Sequence, residues 1–157
     1  MLDFETWQQL LDLYTDYAAT VDNNEWDRWP EFFIDECVYR IQPRENYDRG
    51  LPLATLAFES KGMLKDRVYG MTETIFHDPY YQRHVVGVPK VIAVNEEIIE
   101  AQANYAVFRT KPDELTSVFN VGRYVDSVKR TPEGLKFASR ICVFDSEMIA
   151  NSIIYPI

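Results

Sequence analysis

Residues 83–145, RHVVGVPKVIAVNEEIIEAQANYAVFRTKPDELTSVFNVGRYVDSVKRTPEGLKFASRICVFD, decide the fold. Long stretches rich in Val, Ile, Tyr, Phe and Thr are broken only at Asn95-Glu96, Lys111-Pro112-Asp113-Glu114 and Thr131-Pro132-Glu133-Gly134. β-branched and aromatic side chains fit a pleated surface, and Pro and Gly beside charged residues supply the backbone angles of tight turns. The pattern predicts a meander of long antiparallel strands over 84–94, 97–110, 114–130 and 134–146. In the second strand Ile99, Ala101, Ala103, Tyr105 and Val107 alternate with Glu100, Gln102, Asn104 and Ala106, giving one apolar face and one wet one. A meander this long must curl, and whether it encloses a pocket or a packed core separates an enzyme from a structural subunit.

Upstream, Phe4, Trp7, Leu11, Tyr14, Ala18 and Val21 recur at intervals of three and four, the stripe of a helix that Asp3 caps and Asp22-Asn23-Asn24 ends. Trp26 to Pro30 suggests one short helical turn leading to Phe32 and Phe33, and Asp35-Glu36 a turn before a strand Cys37–Ile41. Pro43–Pro52 reads as a loop and Leu53–Phe58 as a short strand. Ser60 can cap a second helix to about Thr74, with Met63, Leu64, Val68 and Met71 along one side beside Arg67. His77-Asp78-Pro79-Tyr80 is a loop. Helices first and a bent antiparallel sheet second make an α+β domain, with the helices on the concave face. After Glu147 the chain carries no charge, and Ile149, Ile153, Ile154, Tyr155 and Ile157 are expected to be buried against the sheet or another subunit.

The length, 157 residues, suits one domain over 1–157. The aromatic share of 14% supplies side chains for subunit interfaces as well as a core. A net charge of −9 repels phosphate backbones and anionic lipid, so nucleic acid and membrane are poor partners. No run approaches the ~20 apolar residues of a membrane helix, and the first residues lack a signal-peptide layout, so a cytoplasmic location is expected. Cys37 and Cys142 lie in apolar runs and read as reduced core thiols, with a disulfide as the alternative.

Candidate chemistry is sparse. His77, His84 and Asp78 match the inventory of a facial-triad iron site, but they share a loop containing a proline instead of a rigid face. An Asp–His pair could also shuttle protons at the mouth of a curled sheet, with Tyr80, Tyr81 and Tyr105 orienting a substrate. The favoured reading is loop or interface residues held by hydrogen bonds. Iron–sulfur, zinc and phosphate-loop spacings and a nucleophile elbow are absent from the sequence. Arg123 and Arg140, embedded in apolar strands, need partners: Asp126, Asp145 or Asp66, or carboxylates of a neighbour.

Taken together, Asp27–Tyr39 (DRWPEFFIDECVY), Met63–Val68 (MLKDRV), Arg83–Val86 (RHVV), Gly122–Asp126 (GRYVD) and the ending Asp145–Ile157 resemble the small (β) subunit of Rieske non-heme-iron aromatic-ring-hydroxylating oxygenases. The similarity spans nearly the whole chain and is strongest to the salicylate 5-hydroxylase and terephthalate dioxygenase branch. It implies a cone-shaped NTF2-like (cystatin-like) fold. It also implies a trimer of small subunits beneath a trimer of large (α) ones, an α3β3 assembly acting on an aromatic acid such as salicylate. The implied role is structural and non-catalytic, within an NADH-dependent mono- or dioxygenase. The Rieske [2Fe-2S] cluster and mononuclear non-heme iron would belong to the large subunit, with electrons from NADH through a reductase and ferredoxin. No catalytic, cofactor-binding or metal residue transfers to this chain. The competing expectation is a free-standing lyase or isomerase, or a ligand-binding module, of the same cone fold, with His84, Asp78 and a tyrosine as its working groups.

Overall fold

The computed structural model describes residues 1–148 and 152–157; Ile149, one of the expected apolar tail residues, lies outside them. Helix α1 (Phe4–Asp22) starts where Asp3 accepts the Thr6 N–H at 2.8 Å and the Thr6 hydroxyl at 2.9 Å. Its buried side is not the expected stripe but one rotated from it: Thr6, Leu10, Leu13, Tyr14, Tyr17 and Val21 are covered, while Phe4 is exposed. Tyr14 and Tyr17 draw the helix round, because their hydroxyls find partners inside the cone, Asp126 on the sheet and the Ile157 carbonyl of the tail.

A 3₁₀ turn (Trp26–Phe32) leads into β1 (Phe33–Pro43), which starts earlier than expected. The turn expected at Asp35-Glu36 is a break in register inside that strand, between Phe33 and Val38. The expected loop 43–52 holds a short helix, α2 (Arg44–Asp48), and β2 is confined to Leu56–Phe58. Helix α3 (Lys61–Tyr69), capped by Ser60 through the Met63 N–H, relaxes into one wider π turn over Gly70–Thr74.

The strand expected over 84–94 is two, β3 (Tyr81–Val86) and β4 (Lys90–Val94), divided at Gly87–Pro89, where Pro89 has no N–H to give a ladder. Both pair antiparallel with β5 (Ile98–Thr110), β3 with its second half and β4 with its first. The meander continues antiparallel through β6 (Ser117–Thr131) and β7 (Gly134–Phe144). Strand β1 then adds to β7 in parallel, giving the order β2-β1-β7-β6-β5-β3 with β4 beside β5. The wall curls round a core in which Trp29 meets Tyr39 edge to face, Tyr17 meets Phe137 likewise, and Tyr105 stacks on Tyr124.

Candidate functional site: the cone interior and the tail that fills it

At the centre of the curled wall lies an ion pair with no solvent access. Arg140 on β7 donates through Nε and Nη2 to Asp126 on β6, at 3.0 and 2.7 Å. Tyr14 of α1 gives the same carboxylate a third, short hydrogen bond. The rings of Tyr124, Phe137, Tyr17 and Tyr14 surround the guanidinium at 3.9–4.9 Å. Burial pushes the Asp126 carboxyl above its ordinary range against the pull of Arg140. Arg140, although burial opposes its charge, is held firmly protonated by Asp126. Of the partners open to Arg140 in the sequence, the fold selects Asp126. Arg123 pairs instead with Asp48, and Asp145 with Arg44.

Above this pair the tail runs into the cone without joining any strand, and side chains hold its backbone. Arg67 Nη2 donates to the carbonyls of Ile153 (3.1 Å) and Ile154 (2.8 Å), and Gln82 Nε2 to that of Pro156 (3.1 Å). The Tyr80 hydroxyl accepts the Tyr155 N–H, and the Tyr39 hydroxyl accepts that of Ile157. The Ile157 carbonyl oxygen receives three donors: Tyr39 (2.9 Å), Tyr17 (3.0 Å) and the Cys142 thiol (3.4 Å). Trp29 Nε1 in turn donates to the Tyr17 hydroxyl. Burial raises both phenols well above their ordinary values and pushes the Cys142 thiol up to about 12, so all three carry the protons they donate. Ile157 is completely buried, and the Tyr155 ring stacks on Trp26 and packs on Tyr80.

The two histidines are separately employed. His84 does not meet Asp78. Its Nδ1–H donates to Asp22 at the end of α1 (2.6 Å), and its backbone N–H donates to the other oxygen of the same carboxylate (2.9 Å). A carboxylate at a helix C-terminus opposes the helix dipole, so these bonds tie α1 to β3 against that local preference. The imidazole is fully buried beneath a groove of about 380 Å³ lined by Leu11, Ala18, Val86 and Pro89. His77 pairs through Nε2 with the Tyr155 hydroxyl (2.8 Å), while Asp78 is exposed. Of the three tyrosines, only Tyr80 lies near His77; Tyr81 faces outward, and Tyr105 donates to Asn120 deep in the sheet. Among the described residues no three His, Cys, Asp or Glu side chains converge as metal ligands do, and no helix is long and apolar enough to cross a membrane. Both cysteines are buried and free. Sequence reasoning missed Asp22, Tyr17, Tyr39 and Gln82. Only Asp22 carried a signal, as an acid at the unfavourable end of a helix.

A curled sheet closed by an N-terminal helix, with polar groups collected in its hollow, defines the cone of NTF2-like, cystatin-like proteins. An NTF2-like protein of cystatin-like fold from Novosphingobium aromaticivorans superposes with a TM-score of 0.68 at 16% identity, covering 92% of this chain and 84% of its own. Residues 16–151 match the model of the ring hydroxylating beta subunit family, and the chain belongs to that family. The anthranilate 1,2-dioxygenase small subunit of Burkholderia cepacia is 31% identical over 99% of this chain and 96% of its own length. A crystal structure of a β subunit assigned to an aromatic-ring-hydroxylating dioxygenase of Novosphingobium aromaticivorans superposes with a TM-score of 0.87 at 33% identity, covering 96% of this chain and 95% of that one.

Proposed function

We propose that this chain, a single domain over 1–157, is the structural, non-catalytic small subunit of a cytoplasmic oxygenase that hydroxylates an aromatic acid such as salicylate. It contributes no catalytic, cofactor or metal residue. A large subunit carries the Rieske [2Fe-2S] cluster and mononuclear iron, with electrons from NADH through a reductase and ferredoxin, in an α3β3 assembly. The relative named for anthranilate, itself an aromatic carboxylate, supports the substrate class. The observation that carries the non-catalytic role is the occupied cone: the space a lyase, isomerase or ligand-binding module would need holds Ile157, sealed from solvent and bound by Tyr17, Tyr39 and Cys142.

The test is turnover per iron in complexes of verified subunit ratio. With His77→Ala or His84→Gln, yield or stability of the complex falls while turnover per loaded iron stays near that of the parent. A loss of the roughly 10²–10⁴-fold typical of a missing general acid or base, in fully assembled and fully loaded complex, would sink this reading.

A further inference from the structure

The way the tail is held differs from ordinary core packing. Between Ile153 and Ile157 the backbone belongs to no strand; the carbonyls of Ile153, Ile154, Pro156 and Ile157 and the N–H groups of Tyr155 and Ile157 are met by side chains of α1, β1, α3, β3 and β7 and of the loop before β3. Those side chains address the main chain, and three apolar positions are sealed inside, Ile153, Pro156 and Ile157. Tyr155 alone is read through its side chain, between Trp26 and Tyr80 with its hydroxyl on His77. This is how a receptor holds an extended peptide: main-chain bonds give affinity and a few pockets give register.

The geometry points to a peptide-binding site in the mouth of the cone, with an extended apolar pentapeptide as its ligand class and the chain's own Ile153–Ile157 as the resident occupant. The tail docks as a separable ligand, leaving and re-entering while the sheet stays folded, and a free peptide of the same sequence competes for the site. The inference goes beyond the subunit role and does not depend on it.

Hydrogen exchange on the full chain and peptide binding to a tail variant test it. In the parent, the Tyr155 and Ile157 amides exchange at least ~100-fold faster than the slowest β5 and β6 amides, as sub-global opening requires. Tyr155→Ala leaves Arg67, Gln82, Tyr17, Tyr39 and Cys142 intact and weakens only the occupant. Exchange in the tail rises about tenfold further, the scale of a lost hydrogen bond or ring contact, with β5 and β6 unchanged. Acetyl-SIIYPI then binds this variant with a saturable change in tryptophan emission, and acetyl-SIIAPI binds at least about tenfold more weakly. Ile153→Ala serves as a second weakened occupant. Tail amides that exchange together with β5 and β6 would overturn the inference. So would a folded variant that binds no peptide, or the loss of sheet structure in both variants.

Discussion

Gly122 shows how tightly a single position can be constrained without any unusual φ. A Cβ built on it would stand 1.9 Å from the Val143 carbonyl oxygen and 2.8 Å from the Phe144 Cα, both backbone atoms of the neighbouring strand β7. Neither can swing aside as a side-chain tip could, so β6 and β7 must part locally. Gly122→Ala is expected to lower stability by about 3 kcal/mol, the upper end for an overpacked core, in urea unfolding followed by circular dichroism. Cys142 makes a second prediction at this scale. Its folded thiol holds a proton up to about 12, against an ordinary value of 9.0, because burial disfavours the thiolate. A group whose folded pKa is raised contributes its full stability below the unfolded value and loses it as pH rises. Stability should therefore decline from about pH 9 toward 12, helped by the raised phenols of Tyr17, Tyr39 and Tyr124. Below that window the native thiol should resist alkylation and react only once the chain is unfolded.

At the scale of elements, the α1–β3 clasp is where local preference and tertiary need disagree. Asp22→Ala removes one carboxylate but leaves two buried donors, the His84 Nδ1–H and backbone N–H, without an acceptor. The expected loss is about 3 kcal/mol in thermal or urea unfolding, larger than for an ordinary exposed helix-end substitution. A cost near zero would mean that the two donors find another acceptor. The same clasp marks the limit of what the sequence made legible. Alternation in Ile99–Val107 and the turns at Lys111–Glu114 and Thr131–Gly134 placed β5, β6 and β7 nearly correctly, because period and turn chemistry are local. The rotation of α1 was not legible, since Tyr14 and Tyr17 turn inward for partners, Asp126 and Ile157, more than a hundred residues away. The split at Gly87–Pro89 follows from Pro89, a single residue without an N–H inside an otherwise strand-like run. The bulge in β1 lay hidden because Asp35-Glu36 imitates a turn. For the candidate site, the pairing of Arg140 with Asp126 was among the foreseen options, whereas Asp22 as the partner of His84 required knowing that the end of α1 meets β3.

The molecule as a whole presents a wall with two different sides. Inward, the cone is filled by its own tail. Outward, the β3-β5-β6 face carries Val85 opposite Ala106, and Ala106 opposite Val121, with Phe108 beside Val118; Val85, Val118 and Val121 are exposed. Val85 on β3 and Val121 on β6, on either side of Ala106 on β5, give an apolar row to a chain with nine net negative charges, and such a row suits contact with a neighbouring subunit. Val85 and Val121 flank the same β5 residue and point away from the core, so charging both alters the surface and not the packing. Val85→Glu with Val121→Glu is accordingly expected to leave the circular dichroism and melting of the isolated chain within about 0.5 kcal/mol of the parent. In light scattering on co-expressed subunits, the assembled species should give way to smaller ones, since like charges in a desolvated contact cost several kcal/mol. Intact assembly by the double variant would move the subunit contact elsewhere, toward the mouth around the exposed Phe76. A lost assembly with unchanged folding would place it on this face.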